Sequence, residues 1–146
     1  MRTFWKTTSA VTFSLALAAC AGTPAPKPPS LYERLGGQPA ITAVVDDFVA
    51  NVGADKRING QFANTNIPRL KMLLVEQICA GTGGPCQYSG RDMKSTHAHL
   101  KISEADFNAL VEDLTRTLDK FKVPEKERGE LMAILGPMKA DIVTVR

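Results

Sequence analysis

Apolar positions recur along most of this chain at steps of three and four residues, the spacing of one face of an α-helix. Ile41, Val44, Val45, Phe48, Val49 and Val52 form the first long stripe, on a helix starting near Pro39, a residue suited to a first turn. Before it, Ser30 with Glu33 reads as a capping box for a short helix, Leu31 to Leu35, which Gly36-Gly37 stops. Gly53 to Gly60 is a polar connection. Asn66 then caps a helix with Pro68 in its first turn and Leu70, Leu73, Leu74, Gln77 and Ile78 on its inner face. Ser103 caps the most regular stripe, Phe107, Leu110, Val111, Leu114, Leu118 and Phe121, which we assign to core packing. Pro124 opens a last helix with Leu131, Ile134 and Leu135 inward, and Pro137 kinks or restarts it before Met138 to Val143. There is no convincing strand and no internal repeat, so the pattern predicts an all-α domain.

The N-terminal part breaks this pattern. Residues 1–19 read as a leader: Arg2 and Lys6 give a positive start, and Ala10 to Ala19 is apolar but too short to span a bilayer. Leu17-Ala18-Ala19-Cys20 resembles a bacterial lipobox, in which Cys20 becomes the lipid-modified N-terminus; an ordinary secretory leader with an incidental cysteine is the alternative. Residues 20–29, with Ala21 to Pro29 rich in proline, then form an extended tether. Residues 30–146 are left as one domain, long enough for its own core and lipid-anchored to a membrane through Cys20, on the periplasmic side of a bacterial envelope. The leader holds two of the 18 basic side chains and none of the 15 acidic ones, so the mature chain is close to neutral. With no basic run interleaved with aromatics, nothing favours nucleic acid as a partner.

Cys79 and Cys86 remain, flanking Ala80-Gly81-Thr82-Gly83-Gly84-Pro85. In an exported, oxidising setting a disulfide closing that loop is expected, worth about 2.5 kcal/mol on a loop-entropy argument. The pair is not a Cys-x-x-Cys motif at a helix start, which favours a staple over redox catalysis; a redox switch is the remaining alternative. Histidine occurs only at His97 and His99, just after a glycine-rich connection and a tyrosine turn. A lone imidazole is the commonest protein ligand to iron, although it also serves as an ordinary polar surface or core residue.

In order along the chain, Leu31-Tyr32-Glu33-Arg34-Leu35-Gly36-Gly37, Val44-Val45-Asp46-Asp47-Phe48, Gly83-Gly84-Pro85, Tyr88-Ser89-Gly90-Arg91-Asp92-Met93, His97 and Gly136-Pro137-Met138-Lys139-Ala140-Asp141-Ile142-Val143 resemble the group I truncated haemoglobins. The resemblance spans nearly everything from Ser30 onward and implies a two-over-two helical sandwich around haem b. It makes His97 the proximal ligand to the haem iron, through Nε2, with Nδ1–H bonded to a nearby acceptor. Phe62 falls where the family stacks a phenylalanine on the haem, and Thr65, Asn66 and Arg69 fall where the distal helix begins. Arg69 is placed to reach a propionate or to sit as a solvated cation, and Met93 and Leu100 would form apolar wall. His99, about 200° from His97 around a helix, cannot share its face of the iron.

The departures carry the specific expectation. Family members usually place a tyrosine after the residue matching Phe48, and this chain has Val49. Where the distal helix commonly carries glutamine there are Leu70 and Leu74, and Gln77 lies one turn further on, at a position often aromatic. A donor aimed at bound O2, which draws negative charge onto itself, is worth about 1–3 kcal/mol. Without one, O2 should leave fast and CO should suffer less. The resemblance therefore implies reversible binding of O2, CO or NO, served by an unidentified reductant. Two alternatives stand beside it. One is a haem enzyme, a nitric oxide dioxygenase or weak peroxidase, although no general acid–base pair is visible on the distal side. The other is a haem-free structural envelope lipoprotein.

Overall fold

Ser30 begins the folded part by reciprocal capping. Its hydroxyl accepts from the Glu33 N–H at 3.3 Å, and the Glu33 carboxylate accepts from the Ser30 N–H at 2.7 Å, starting α1 (Leu31–Arg34). The computed structural model describes residues 26–145; the leader and Cys20 expected from the sequence lie outside them. Pro26 to Pro29 are exposed and without regular structure, and the Pro29 carbonyl accepts from Arg34 Nη1 at 3.0 Å. Arg34 also donates to Glu127 at 2.9 Å and to Glu130, which ties α1 to a helix more than ninety residues later. The guanidinium holds the Glu127 carboxyl below the usual carboxylate range.

Gly36 takes a left-handed conformation, φ 92°, and a Cβ there would stand 2.9 Å from the Ala40 Cβ, so glycine is required where the chain turns into α2. This helix, Gly37–Ala54, begins just ahead of Pro39 and runs through Gly53, where the sequence pattern had placed the start of the connection. A 3₁₀ turn, Asn59–Phe62, precedes α3 (Ile67–Gly81), which is capped as expected: the Asn66 side chain accepts from the Arg69 N–H at 3.0 Å, with Pro68 in the first turn. Then come α4 (Met93–His97), α5 (Glu104–Lys120, from a Ser103–Asp106 capping box) and α6 (Glu125–Leu135, after Pro124). A 3₁₀ turn at Gly136–Met138 follows, and the restart beyond Pro137 is α7 (Lys139–Ile142). The described residues contain helices and no strand.

α2 lies against both α3 and α5, while α1 rests on α6 and α4 on α7. One core cluster draws Ile41 and Val45 from α2, Val75 and Ile78 from α3, Leu114 and Leu118 from α5, and Leu131 from α6. Burying each such side chain contributes about 1.5–3 kcal/mol. The polar groups inside are mostly matched: Asn51 donates to the buried Thr117 hydroxyl at 2.9 Å. Among the described residues Arg128 Nε and Asp113 are exceptions, and Asp113 is the deeper one. It is fully buried; Oδ1 accepts from Arg116 at 2.7 Å, Oδ2 has no partner, and burial pushes the carboxyl above its ordinary value.

The α5 stripe is not all core. Leu114 and Leu118 pack inward, but Phe121 caps the helix at 40% exposure, and Phe107, Leu110, Val111 and one side of Leu114 open onto a cavity.

Candidate functional site

The cavity forms where three stripes converge without meeting. From α2 come Val44, Val45, Phe48, Val49 and Val52; from α3, Leu70, Leu73, Leu74 and Gln77; from α5, the residues just named. It encloses about 260 Å³, and a neighbouring cavity of about 180 Å³ shares part of its wall, including Phe62, Leu70, His97 and Phe107. Among the described residues no Lys, Arg, Asp or Glu lines the larger cavity. The smaller one has Asp106, whose carboxylate already accepts from the Ser103 N–H at 2.9 Å and hydroxyl at 2.7 Å.

His97 stands on the wall common to both cavities, at the end of α4. Asp92 caps that short helix by accepting from the Ser95 N–H at 2.8 Å and hydroxyl at 2.6 Å, bonds that hold the Asp92 carboxyl below its usual range. His97 Nδ1 lies 2.7 Å from the Met93 carbonyl oxygen one turn back. A carbonyl only accepts, so Nδ1 carries the hydrogen, and in the neutral ring Nε2 keeps a free lone pair. Expectation and geometry agree on this bond.

The other polar groups on the larger wall are Gln77, Tyr88 and Thr96. The Tyr88 hydroxyl donates to the Arg91 carbonyl at 3.0 Å, and burial raises its pKa. Gln77 Nε2 points at two thioethers, Met138 Sδ at 3.2 Å and Met93 Sδ at 3.7 Å, both weak acceptors.

Val49, Leu70, Leu74, Phe62, Met93 and His97, singled out from the sequence, are thus brought to one place, and Leu100 lines the smaller cavity. Arg69 is exposed at the start of α3 and lines neither cavity; His99 is exposed as well. Sequence reasoning missed Tyr88, Thr96, Met132, Met138 and Ile142, and took Phe107, Leu110 and Val111 for core. Tyr88, Met138 and Ile142 stand inside motifs that carry the resemblance and Thr96 adjoins His97, so their neighbourhood was legible though not their place on the wall; nothing local distinguishes Met132 from a packing residue. Cys79 and Cys86 form the expected disulfide, outside the cavity wall.

What this wall suits follows from its donors. Among the described residues no three His, Cys, Asp or Glu side chains gather as a metal cage. A single oriented imidazole in an apolar cavity instead fits a metal carried by a flat organic macrocycle, whose body is matched by the Leu, Val and Phe surfaces.

Comparison with known proteins points the same way. A family model described as "Bacterial-like globin" matches residues 30–144. A group 1 truncated hemoglobin of Mycolicibacterium paratuberculosis is 35% identical over 118 residues, covering 81% of this chain and 87% of that protein. One from Tetrahymena thermophila is 31% identical over 115 residues, covering 79% of this chain and 95% of its own length. Among solved structures, the Fe(III) form of truncated hemoglobin from Tetrahymena pyriformis superposes with TM-score 0.75 at 28% identity, covering 79% of this chain and 98% of that one. The 2/2 hemoglobin of a Synechococcus species, solved with covalently attached heme, gives TM-score 0.75 at 30% identity and covers 79% of this chain and 98% of its own.

Proposed function

Because the chain belongs to the bacterial-like globins, has the two-over-two fold of truncated haemoglobins and takes haem with its iron as cofactor, we propose that it binds O2, CO or NO reversibly with His97 as the iron's protein ligand and with no strong donor offered to the gas. The observation that carries this is the His97 Nδ1–Met93 carbonyl bond, which fixes the tautomer and leaves Nε2 free on the cavity wall. Haem, when bound, supplies the iron at which a diatomic gas adds. The chain's own residues do the rest. Phe62, Phe107 and the leucines of α3 exclude water, and Val49, Leu70 and Leu74 present only methyl groups where a donor would discriminate among gases. O2, the ligand that gains most from a donor, loses most here, while CO is nearly indifferent. Among the described residues the larger cavity has no carboxyl and no second imidazole to shuttle protons, and Asp106 of the smaller one is already engaged by Ser103, which favours binding over peroxide chemistry.

The test is the optical spectrum of the full chain produced with haem available, beside His97→Ala. A Soret band that shifts with CO and disappears in the variant is expected. The same band in both proteins, or none in the wild type, would overturn the assignment.

We also place the domain outside the cytoplasm, lipid-anchored through Cys20. Supporting this are the exposed proline segment at residues 26–29 and a disulfide of a kind rare in reducing compartments. Incorporation of labelled palmitate that Cys20→Ser abolishes is the expected result; equal labelling without Cys20 would refute it.

A further inference from the structure

α4, which carries His97, is a five-residue helix with no buried residue of its own. So short a helix does not hold itself in place; it is held by α7, on which it rests, and by the chain leading into it. That chain, residues 82–92, is fastened back to α3 at successive points. Cys86 is bonded to Cys79, fully buried in the last turn of α3. The Gly84 N–H donates to the Cys79 carbonyl at 2.8 Å, and the Ser89 N–H and hydroxyl donate to one Glu76 oxygen at 2.9 and 2.7 Å. Further on, the Tyr88 hydroxyl donates to the Arg91 carbonyl, with its ring over Gly90, and Asp92 caps α4 itself. Glu76 and Cys79 line neither cavity, whereas Leu70, Leu74 and Gln77 of the same helix line the larger one opposite His97. One helix therefore supplies both the distal wall and the anchor points of the strap that carries the proximal imidazole. The strap sets the position of His97 relative to Leu70 and Leu74.

We propose that the Cys79–Cys86 disulfide and the Glu76–Ser89 bonds are a clamp that governs haem retention, so that the protein holds haem firmly only with the disulfide closed. This rests on His97 as the iron ligand. Opening the clamp takes two electrons and two protons from a dithiol reductant: the Cys79–Cys86 bond breaks, both sulfurs become thiols, and the reductant leaves as its own disulfide. Closure is the reverse exchange with an oxidised dithiol, so haem capture is completed where disulfides form. Glu76 and Ser89 are positioning residues, touching neither haem nor gas.

The experiment measures loss of ferric haem from the loaded full chain to an excess of a haem-scavenging apoglobin, at a temperature well below melting. The proteins are wild type, Cys79→Ser/Cys86→Ser, Glu76→Gln, and Leu131→Ala as a variant weakened in the core at a residue that lines neither cavity. The double variant is expected to lose haem about ten- to a hundredfold faster, the range typical when support of a metal ligand is removed. Glu76→Gln should shift in the same direction by less, and both should alter the ferrous iron–histidine stretching band. Leu131→Ala, although less stable, should keep the wild-type rate and band. Haem loss in the double variant at the wild-type rate would overturn the clamp, as would equally fast loss from Leu131→Ala. A wild type with no Soret band would instead overturn the gas-binding reading on which the clamp rests.

Discussion

Val49→Tyr is the substitution that most directly probes the apolar distal wall. Val49 is 7% exposed, sits in the second half of α2 and lines the larger cavity together with Leu70 and Leu74. A tyrosine there must project into the cavity, because on its other sides Val49 packs into the core cluster. The phenol would bring one O–H donor to the stretch of wall where, on the proposed reading, Val49, Leu70 and Leu74 offer the gas only methyl groups. A hydrogen bond to a charge-bearing acceptor is worth about 1–3 kcal/mol, which lengthens O2 residence about five- to a hundredfold. Crowding works against this: adding a ring at a packed position costs about 1–3 kcal/mol of folding stability. That cost appears in the melting temperature, not in the off-rate, so the two effects separate. The assay is stopped-flow dissociation of O2 from the ferrous protein, with CO dissociation measured alongside as the internal control. Slower O2 release with nearly unchanged CO release is expected. An unchanged O2 off-rate in a folded, haem-loaded variant would refute the reasoning, because it would mean that Val49 does not face the gas or that the native pocket already supplies a donor.

Glycines give the next contrast. Gly84→Ala would put a Cβ 2.6 Å from Tyr32 Cδ2 and 2.7 Å from Cys79 Sγ, and should lower stability by about 1–3 kcal/mol in thermal unfolding. Gly129→Ala, in α6 with open space around its Cβ, should raise it by about 0.5–1 kcal/mol. Two carboxyls should titrate with opposite signs in urea melts across acidic pH. Asp113 has its folded pKa raised by burial, so its ionisation costs stability above that value and the cost vanishes below the unfolded value near 3.8. Asp113→Asn should therefore be the more stable protein at neutral pH, by a margin that closes on acidification. Glu127 has its folded pKa lowered, first by the Arg34 hydrogen bond, so its contribution is present above the unfolded value near 4.5 and is lost as pH falls through the lower folded value. Glu127→Gln should be the less stable protein at neutral pH and lose that deficit in acid.

What the sequence reveals about this molecule follows the range of the forces involved. Ser30, Asn66 and Ser103 cap helices through bonds to residues three positions away, so their signatures are complete within a few letters. The start of α2 near Pro39 is legible to within two residues, and what the letters do not show is how tight the turn is: Gly36 and Gly37 both take positive φ, 92° and 70°, so one helix ends and the next begins with almost no connection. Arg34 gave no sign of reaching Glu127, since a contact across so much chain exists only after α1 and α6 have met. The site shows the same limit more sharply. Val49, Leu70, Leu74, Phe62, Met93 and His97 were singled out through dispersed motifs, which encode position in a known architecture; periodicity alone places Val49, Leu70 and Leu74 in a packed interior and says nothing of the other three.

The α5 stripe shows why. Leu118 is 1% exposed and belongs to the core, and Phe107 lies on the same face of the same helix but lines both cavities. An apolar side chain turned inward leaves one pattern in the sequence, whether it meets another side chain or an apolar cofactor. Hydrophobic periodicity therefore overcounts the core wherever a protein reserves space for a flat apolar group. The excess is exposed by a polar group that a packed interior would not tolerate without a use. Here that group is His97: its Nδ1 is satisfied by Met93, and its Nε2 would be a costly orphan if the surrounding leucines and phenylalanines closed on it. The imidazole accounts for the cavity as much as the cavity accommodates the imidazole.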